Sequence, residues 1–404
     1  MLEVGNARVF LGDCREVLKA LPDNSVDSVV TDPPYELGFM GKKWDGTGIA
    51  YDVSVWVECL RVLKPGGHIL AFGGSRTFHR MAVAIEDAGF EIRDSIAWMY
   101  GSGFPKSLDV EKAINKAGGD GSAFAGVGTA LKPAFEPIVV GRKPFGKGST
   151  VAANVLEHGV GGLNIDASRI GTETITSHGA QIDGVGKESV KGSVFGNGTR
   201  DYVTPARQGR WPANVILDEY SAGLLDEQSG VLTSGAKKPW VNGSVASKTV
   251  ASLSAGLDGK TRDCTADKSS GGASRFFYCA KASKRDRNKG LEGLEEKDVD
   301  SGNYGINSDS GVAARGRNPD KQEYVAQNFH PTVKPTALMR YLIKLVTPAG
   351  GTVLDPFTGS GSTGKAALLD GYKFVGAELT EEYLPIIEGR LTWAQENTDT
   401  GTLF

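Results

Sequence analysis

The sequence predicts an α/β protein built on a doubly wound, mostly parallel sheet, and three observations carry that prediction. Val26 to Val30 is a near-continuous Val-rich run, as expected of a strand covered by helices on both faces. From Ala7 to Met99, short apolar runs alternate with segments of helical spacing. The same alternation returns after His330, where a Gly-rich loop opens a helix and leads to a last strand.

Taken in order, Ala7 to Leu11 reads as a strand ending at Gly12-Asp13-Cys14, followed by a helix through Leu21 with apolar positions at Val17, Leu18 and Leu21. The Val26 to Val30 strand stops at Thr31-Asp32-Pro33-Pro34-Tyr35, and a loop from Glu36 to Gly48 carries Lys42, Lys43 and Trp44. Asp52 to Leu63 has helical spacing and stops at Lys64-Pro65-Gly66-Gly67, a strong helix terminator. His68 to Phe72 is a strand, Thr77 to Ala88 a helix, Phe90 to Met99 a longer strand, Leu108 to Ala117 a helix and Pro137 to Gly141 a strand. Between about Lys147 and Ser274 the chain is rich in Gly, Ser, Thr, Asn and Lys, with few apolar runs beyond Val215 to Leu217. Such a stretch lacks the apolar surface for a core of its own, so it is expected to be partly disordered or ordered on a partner. Arg275 to Lys281 reads as an aromatic strand, with Lys284, Arg285, Arg287 and Lys289 behind it and a polar loop running to about Asn328.

His330-Pro331-Thr332-Val333-Lys334-Pro335 then leads into a helix, Thr336 to Thr347, with Leu338, Tyr341, Leu342 and Leu345 on one face. Thr352 to Leu354 is a strand, and the loop Asp355 to Gly364 opens a helix over Lys365 to Leu369. Tyr372 to Ala377 is a strand ending at Glu378, Glu381 to Trp393 a final helix, and the tail from Gln395 is polar.

A chain of 404 residues suffices for one large domain with an insertion, or for two domains. Its net charge of -3 gives no global attraction to nucleic acid, so such binding must come from local basic patches. The four cysteines, Cys14, Cys59, Cys264 and Cys279, include no C-x-x-C pair, which points away from a zinc site or disulfide framework and toward a reducing cytoplasm. No signal peptide is apparent and no apolar run approaches the roughly 18 residues that span a bilayer.

Four acidic residues, Asp13, Asp32, Asp355 and Glu378, stand directly after four of these strands. Ligands of open parallel sheets bind outside the carboxyl ends of the strands, so the four are candidates to line one cleft. In Asp32-Pro33-Pro34-Tyr35 the prolines fix φ and remove two donors, so the turn offers its carbonyls outward. Asp32 and the Pro33 carbonyl can then accept hydrogen bonds from an amino group while Tyr35 stacks on a flat ring. Gly359 to Gly364 fits G-x-G-x-x-G with Glu378 placed as a ribose acid. Asp355 and Phe357 crowd that turn with a charge and a ring, which suits a cationic, phosphate-free adenosyl ligand better than a pyrophosphate.

On these residues the sequence resembles the class I S-adenosylmethionine (SAM)-dependent DNA amino-methyltransferases of the β group. The match lies in Asp32-Pro33-Pro34-Tyr35 as catalytic loop, Asp355-Pro356-Phe357-Thr358-Gly359-Ser360-Gly361 as cofactor loop, Glu378 as ribose acid and His330 to Pro335 before the cofactor helix. The resemblance covers residues 1 to 145 and 275 to 393, with the catalytic loop first, the permuted order of that group. It implies a Rossmann-like class I methyltransferase fold with four parts. These are a catalytic half at 1–146, a variable target-recognition insertion at 147–275, a cofactor-binding half at 276–393 and a flexible tail at 394–404. It further implies SAM as cofactor, bound by Asp13, Cys14, Lys334, Pro335, Asp355, Phe357, Thr358, Gly359, Ser360, Gly361 and Glu378. The expected reaction is methylation of the exocyclic N6 amine of a flipped adenine in double-stranded DNA, within a bacterial or phage-infected cell. Lys42, Lys43, Arg275, Lys281, Lys284 and Arg285 are candidate DNA contacts. The resemblance leaves room for a homodimer and a cognate restriction enzyme, and implies no membrane partner.

Some readings stay open at this point. Asp13 either caps the helix from Arg15 or contacts the cofactor adenine, and His330 reads as structural for want of a triad partner. An Asp opening the catalytic loop goes mostly with adenine and a Ser with cytosine, so the cytosine N4 amine is the first alternative. A protein glutamine methyltransferase is the next; it typically has Asn in place of Asp32 and the cofactor loop first. A nicotinamide-binding oxidoreductase leaves the Asp32 loop unexplained, and a DNA-binding protein without catalysis leaves its intact clamp unexplained.

Overall fold

The computed structural model describes residues 1–38, 45–101, 107–146, 148–175, 207–233, 270–280, 284–298 and 325–398. They form two compact units, the first drawn from residues 1–168, 213–222 and 278–404 and the second from residues 169–212 and 223–277.

The first unit is organised on one sheet. Its strands are β1 (Leu2–Val4), β2 (Ala7–Leu11), β3 (Val26–Thr31), β4 (Leu63–Phe72), β5 (Glu91–Met99), β6 (Phe135–Arg142), β7 (Val215–Asp218), β8 (Tyr278–Ala280), β9 (Thr352–Asp355) and β10 (Lys373–Glu378). Their lateral order is β1-β2-β10-β9-β3-β4-β6-β5-β7-β8. From β2 to β4 every pairing is parallel, as are β5 with β7 and β7 with β8. β6 runs antiparallel to both of its neighbours, and β1 to β2. The doubly wound, mostly parallel sheet expected from the sequence is therefore present.

β3 shows why its residues form a central strand. All six are buried, and its valines reach two apolar layers. Val29 joins Leu18, Trp56, Val62 and Ile85 on one face, and Val30 joins Leu338, Leu342, Phe374 and Leu391 on the other. Helices Cys14–Lys19, Val53–Val62 and Phe78–Asp87 supply the first layer. Helices Thr336–Val346, Ser362–Leu369 and Leu384–Glu396 supply the second. The chain leaves β3 for β4 on one side and β9 for β10 on the other, so the order reverses between β3 and β9. A crevice opens there at the carboxyl ends of the strands.

The departures from the sequence reading have physical causes. Lys64-Pro65-Gly66-Gly67 does end a helix, but β4 already starts at Leu63, and the four residues form a bulge between the pairs Val26 with Leu63 and Ser28 with His68. Gly66 sits at φ +81°, and a Cβ on Gly67 would lie 2.9 Å from the Asp27 carbonyl oxygen, so both positions favour glycine. Val215–Asp218, inside the polar stretch, is apolar enough to pair within the main sheet, with Ile216 fully buried. Helix Val151–His158 also belongs to the first unit, fixed by Asn154 donating to the carbonyls of Pro65 (2.9 Å) and Val160 (2.7 Å). The compact units thus divide at other residues than 147 and 275. Arg275 to Lys281 is not one strand: a 3-10 turn, Ala273–Phe276, precedes the short β8. Finally, the last helix runs to Glu396 with Ala394 buried, past residue 393.

Within the second unit, Ile170–Ile175 pairs antiparallel with Arg207–Arg210 and Leu232–Thr233 with Ser270–Gly271. Asp226 holds Ser274 through its amide and hydroxyl, both at 2.8 Å. Among the described residues no helix is long and apolar enough to cross a membrane.

Phe374 on β10 fills the layer between β10 and the helices, so Phe374→Ala is expected to lower stability by about 3–5 kcal/mol. Urea unfolding of the two proteins checks this.

Candidate active site

The crevice between β3 and β9 is an open cleft of about 1440 Å³. Asp13, Asp32, Asp355 and Glu378 all line it, as do Cys14, Pro33, Pro34, Tyr35, Lys334, Phe357, Thr358, Gly359 and Ser360. Gly361 and Pro335 lie outside its lining. Gly361 at φ +73° starts the cofactor helix, 3.4 Å from Ile387 Cα at its notional Cβ, and Pro335 precedes helix Thr336–Val346.

The two loops meet at Asp355. Its Oδ1 accepts from Thr31 Oγ1 at 2.6 Å and from the Phe357 amide at 3.1 Å, and its Oδ2 from Thr363 Oγ1 at 2.6 Å. Burial raises the Asp355 carboxyl to about 6 against the pull of these donors. The fixed turn brings Phe357 against Trp56, with ring centroids 6.2 Å apart.

Glu378 accepts the Gly359 amide at 2.7 Å on one oxygen and the Thr380 amide at 2.8 Å on the other. Burial raises its carboxyl above the ordinary value, and each oxygen keeps a further lone pair. Gly359 has φ +55°, and a Cβ there would lie 3.1 Å from His330 Nε2. Two acids behind a glycine turn would repel a pyrophosphate and suit a cationic adenosyl group, so these residues fit SAM. Asp13 is the N-cap of helix Cys14–Lys19, accepting the Arg15 amide at 2.9 Å, and Arg15 also binds both of its oxygens. Asp13 thus caps the helix and also lines the cleft.

The catalytic loop has a different environment. Lys334, expected as a cofactor contact, places its Nζ in the clamp itself. It donates to Asp32 Oδ2 at 2.7 Å and to Tyr35 Oη at 3.1 Å, and lies 3.3 Å from Glu136 Oε2. Burial alone would lower the Lys334 ammonium; Asp32 and Glu136 outweigh it and hold it above the ordinary lysine value. Tyr35 Oη donates to Glu136 Oε2 at 2.7 Å, and burial, with the charges of Asp32 and Glu136, keeps the phenol protonated far into alkali. The other Asp32 oxygen, Oδ1, is buried and has no hydrogen-bond partner among the described residues.

The turn after the clamp is held from outside. Thr77 Oγ1 donates to the Tyr35 carbonyl at 2.8 Å, and Glu36 adopts φ +56°, a conformation that a non-glycine residue takes only when its neighbours fix it. Asp45 does so by accepting the Glu36 and Leu37 amides at 2.8 and 3.2 Å. His330 lines the cleft and is buried against Tyr383, and burial lowers its ring to about 3.

Of the candidate DNA contacts, Lys42, Lys43 and Lys281 lie outside the described residues. Lys284 begins the helix Lys284–Asn288, on which Arg285 is exposed. Its neighbour Arg287 is committed to the carbonyls of Asn328 and His330. Arg275, in the second unit, donates to the Gly272 carbonyl at 2.7 Å and lies 4.5 Å from the Phe276 ring centroid.

Sequence reasoning missed Glu136, Thr363 and Arg390. Arg390 is fully buried and donates to the Ser360 carbonyl at 2.7 Å, fixing the cofactor loop from beneath. Glu136 stands immediately before a predicted strand rather than after one, and because β6 is antiparallel that position faces the cleft. Thr31→Val removes one of the three donors to Asp355 and is expected to cost about 1–3 kcal/mol, with weaker SAM binding. Thermal unfolding and a SAM titration read the two effects.

A sequence profile of the N6/N4 family described as DNA methylase matches residues 26–389. The chain is 27% identical over 200 residues to the type II methyltransferase M.HindIII of Haemophilus influenzae, covering 39% of this chain and 64% of that protein. It is 42% identical over 71 residues to the type II methyltransferase M.ScaI of Streptomyces caespitosus, covering 18% and 23%. The chain thus spans less than two thirds of the length of either relative. Among solved structures, PvuII DNA methyltransferase (cytosine-N4-specific) is similar over 96% of this chain and 86% of that one, at 15% identity and TM-score 0.44. The matched profile takes in both loops of the cleft, and the chain belongs to the N6/N4 DNA methylase family, whose methyl donor is S-adenosylmethionine.

Proposed function

We propose that this chain is a site-specific DNA methyltransferase acting on the exocyclic N6 amine of adenine. The observation that carries the reading is Asp32 Oδ1, a buried acceptor without a hydrogen-bond partner among the described residues, in a cleft shared with the cofactor loop. A nucleobase amine is a poor nucleophile because its lone pair is delocalised into the ring. Hydrogen bonds from its two hydrogens to Asp32 Oδ1 and the Pro33 carbonyl favour a tetrahedral nitrogen and restore that lone pair. SAM supplies an electrophilic methyl on a sulfonium. The nitrogen–carbon bond forms as the sulfur–carbon bond breaks, the electron pair stays on sulfur, and the nitrogen sheds one proton to solvent. The protein's share is alignment, with no covalent intermediate.

Because Oδ1 is buried, a base within a stacked duplex does not reach it, so the adenine is flipped into the cleft with Tyr35 and Phe357 among its lining. An Asp rather than a Ser opening the loop supports adenine over cytosine. Target recognition is assigned to residues 147–275 apart from the segments that belong to the first unit, 213–222 among them. The substrate is double-stranded DNA.

Incubation with unmethylated plasmid and SAM, followed by nucleoside mass spectrometry, is expected to yield N6-methyladenine. N4-methylcytosine instead would overturn the base assignment, and no product despite SAM binding would overturn the DNA reading. Asp32→Ala is expected to leave SAM binding intact and lower turnover by about two orders of magnitude or more. Turnover within about threefold of the unsubstituted protein would remove Asp32 from the mechanism.

A further inference from the structure

We propose that Glu136 is a positioning residue for methyl transfer, holding the Lys334 ammonium away from Asp32 Oδ1 so that this oxygen stays open to the substrate amine. The inference rests on the DNA amino-methylation reading above.

An ammonium has three N–H donors and no acceptor. Lys334 meets three oxygens in a buried setting: Asp32 Oδ2, Tyr35 Oη and Glu136 Oε2. Two donors are used in hydrogen bonds and the ammonium is paired with Glu136, while Asp32 Oδ1, on the same carboxylate that Lys334 binds, has no partner among the described residues. A single Lys–Asp pair does not by itself produce this arrangement. Coulomb attraction in a poorly solvated site draws an ammonium toward both oxygens of a carboxylate.

Glu136 supplies the opposing pull. It presents a second carboxylate to the ammonium at 3.3 Å, and its Oε2 also receives the Tyr35 hydroxyl at 2.7 Å. The Tyr35 proton being committed to Glu136, its oxygen is left to accept from Lys334. Both Glu136 contacts thus place the cation on the Tyr35 side of Asp32. The sheet fixes the placement: Glu136 lies on β6 paired with Trp98 of β5, and the next residue, Pro137, accepts the Gly73 amide at 2.9 Å.

Without the Glu136 charge, Asp32 is the one carboxylate left paired with Lys334 among the described residues, and a donor is released to reach Oδ1. The substrate amine then competes with an ammonium for the acceptor it needs. Glu136→Gln keeps the shape and an acceptor for Tyr35 while removing the charge, so it separates this role from a structural tie.

The test measures transfer of labelled methyl from SAM to plasmid DNA, with SAM affinity and melting temperature in parallel. Glu136→Gln is expected to melt and bind SAM as the unsubstituted protein does, while kcat falls about 10- to 100-fold with little change in KM for DNA. In a Lys334→Met background the same substitution should have no further effect on kcat, since no ammonium is left to block Oδ1. Turnover of Glu136→Gln within about threefold of the unsubstituted protein overturns the inference and leaves the DNA reading intact. A full additional loss in the Lys334→Met background also overturns it, since Glu136 would then act other than through Lys334. If the unsubstituted protein binds SAM but methylates no DNA, the underlying reading fails and the inference with it.

Discussion

The hydrogen bond from Thr31 Oγ1 to Asp355 Oδ1 joins residues 324 apart in the chain, and the rest of the site depends on it. It links the last residue of β3 to the last residue of β9, adjacent parallel strands that lead into opposite halves of the sheet. The catalytic loop begins one residue after the first, and the cofactor loop at the second. A buried carboxylate with three hydrogen-bond donors cannot turn without leaving a donor unsatisfied, so the two loops keep one spacing. In-line methyl transfer requires such a fixed distance, because misplacement of the reacting atoms by about 1 Å is enough to lose much of the rate.

The two loops then diverge in their electrostatics. The cofactor side carries acidic groups raised by burial, Asp355 and Glu378, each stabilised by amide or hydroxyl donors rather than by a cation. The clamp side carries two carboxylates around one ammonium. Such buried charges contribute little net stability when compared with apolar packing, and removing a single partner leaves the other exposed to the full desolvation penalty. Their presence is better explained by the orientation they impose: Asp32 is held at one oxygen while the other has no partner among the described residues, as the proposed mechanism requires.

Much of this is legible in the sequence because parallel strands point their carboxyl ends the same way. Asp13, Asp32, Asp355 and Glu378 can be assigned to one cleft from the single observation that each follows a strand, and all four line it. The rule fails for Glu136, because nothing in the residue pattern of Pro137 to Gly141 reveals that the strand runs the other way. Lys334 is legible as a motif residue but its partner is not, since a contact across 302 residues leaves no trace in local spacing. Val215–Asp218 is a weak apolar run in a polar stretch, and its four residues gain their meaning only from β5 and β8 on either side. Gly66 and Gly67 are recognisable as a helix stop, yet the bulge they allow is a property of the pairing with β3.

The division of labour that follows is between residues that meet substrate and residues that keep them still. Pro33 and Pro34 restrict their own backbone, but the turn is closed by others: Thr77 on the Tyr35 carbonyl and Asp45 on the amides of Glu36 and Leu37. Glu36 in a left-handed conformation is the local cost of that turn, and its own carboxylate helps offset it by accepting the Gly48 amide at 2.8 Å. The cofactor loop is closed in the same way by Arg390, whose guanidinium is lowered by burial to about 10 and whose contacts go to Ser360 and Ser362. Neither loop is rigid through its own sequence. A site whose clamp is set by strand ends and an antiparallel acid, and whose cofactor loop is set by a buried arginine, reorganises little when its ligands arrive, and that is the condition under which the proposed hydrogen bonds to a developing tetrahedral nitrogen act on the rate.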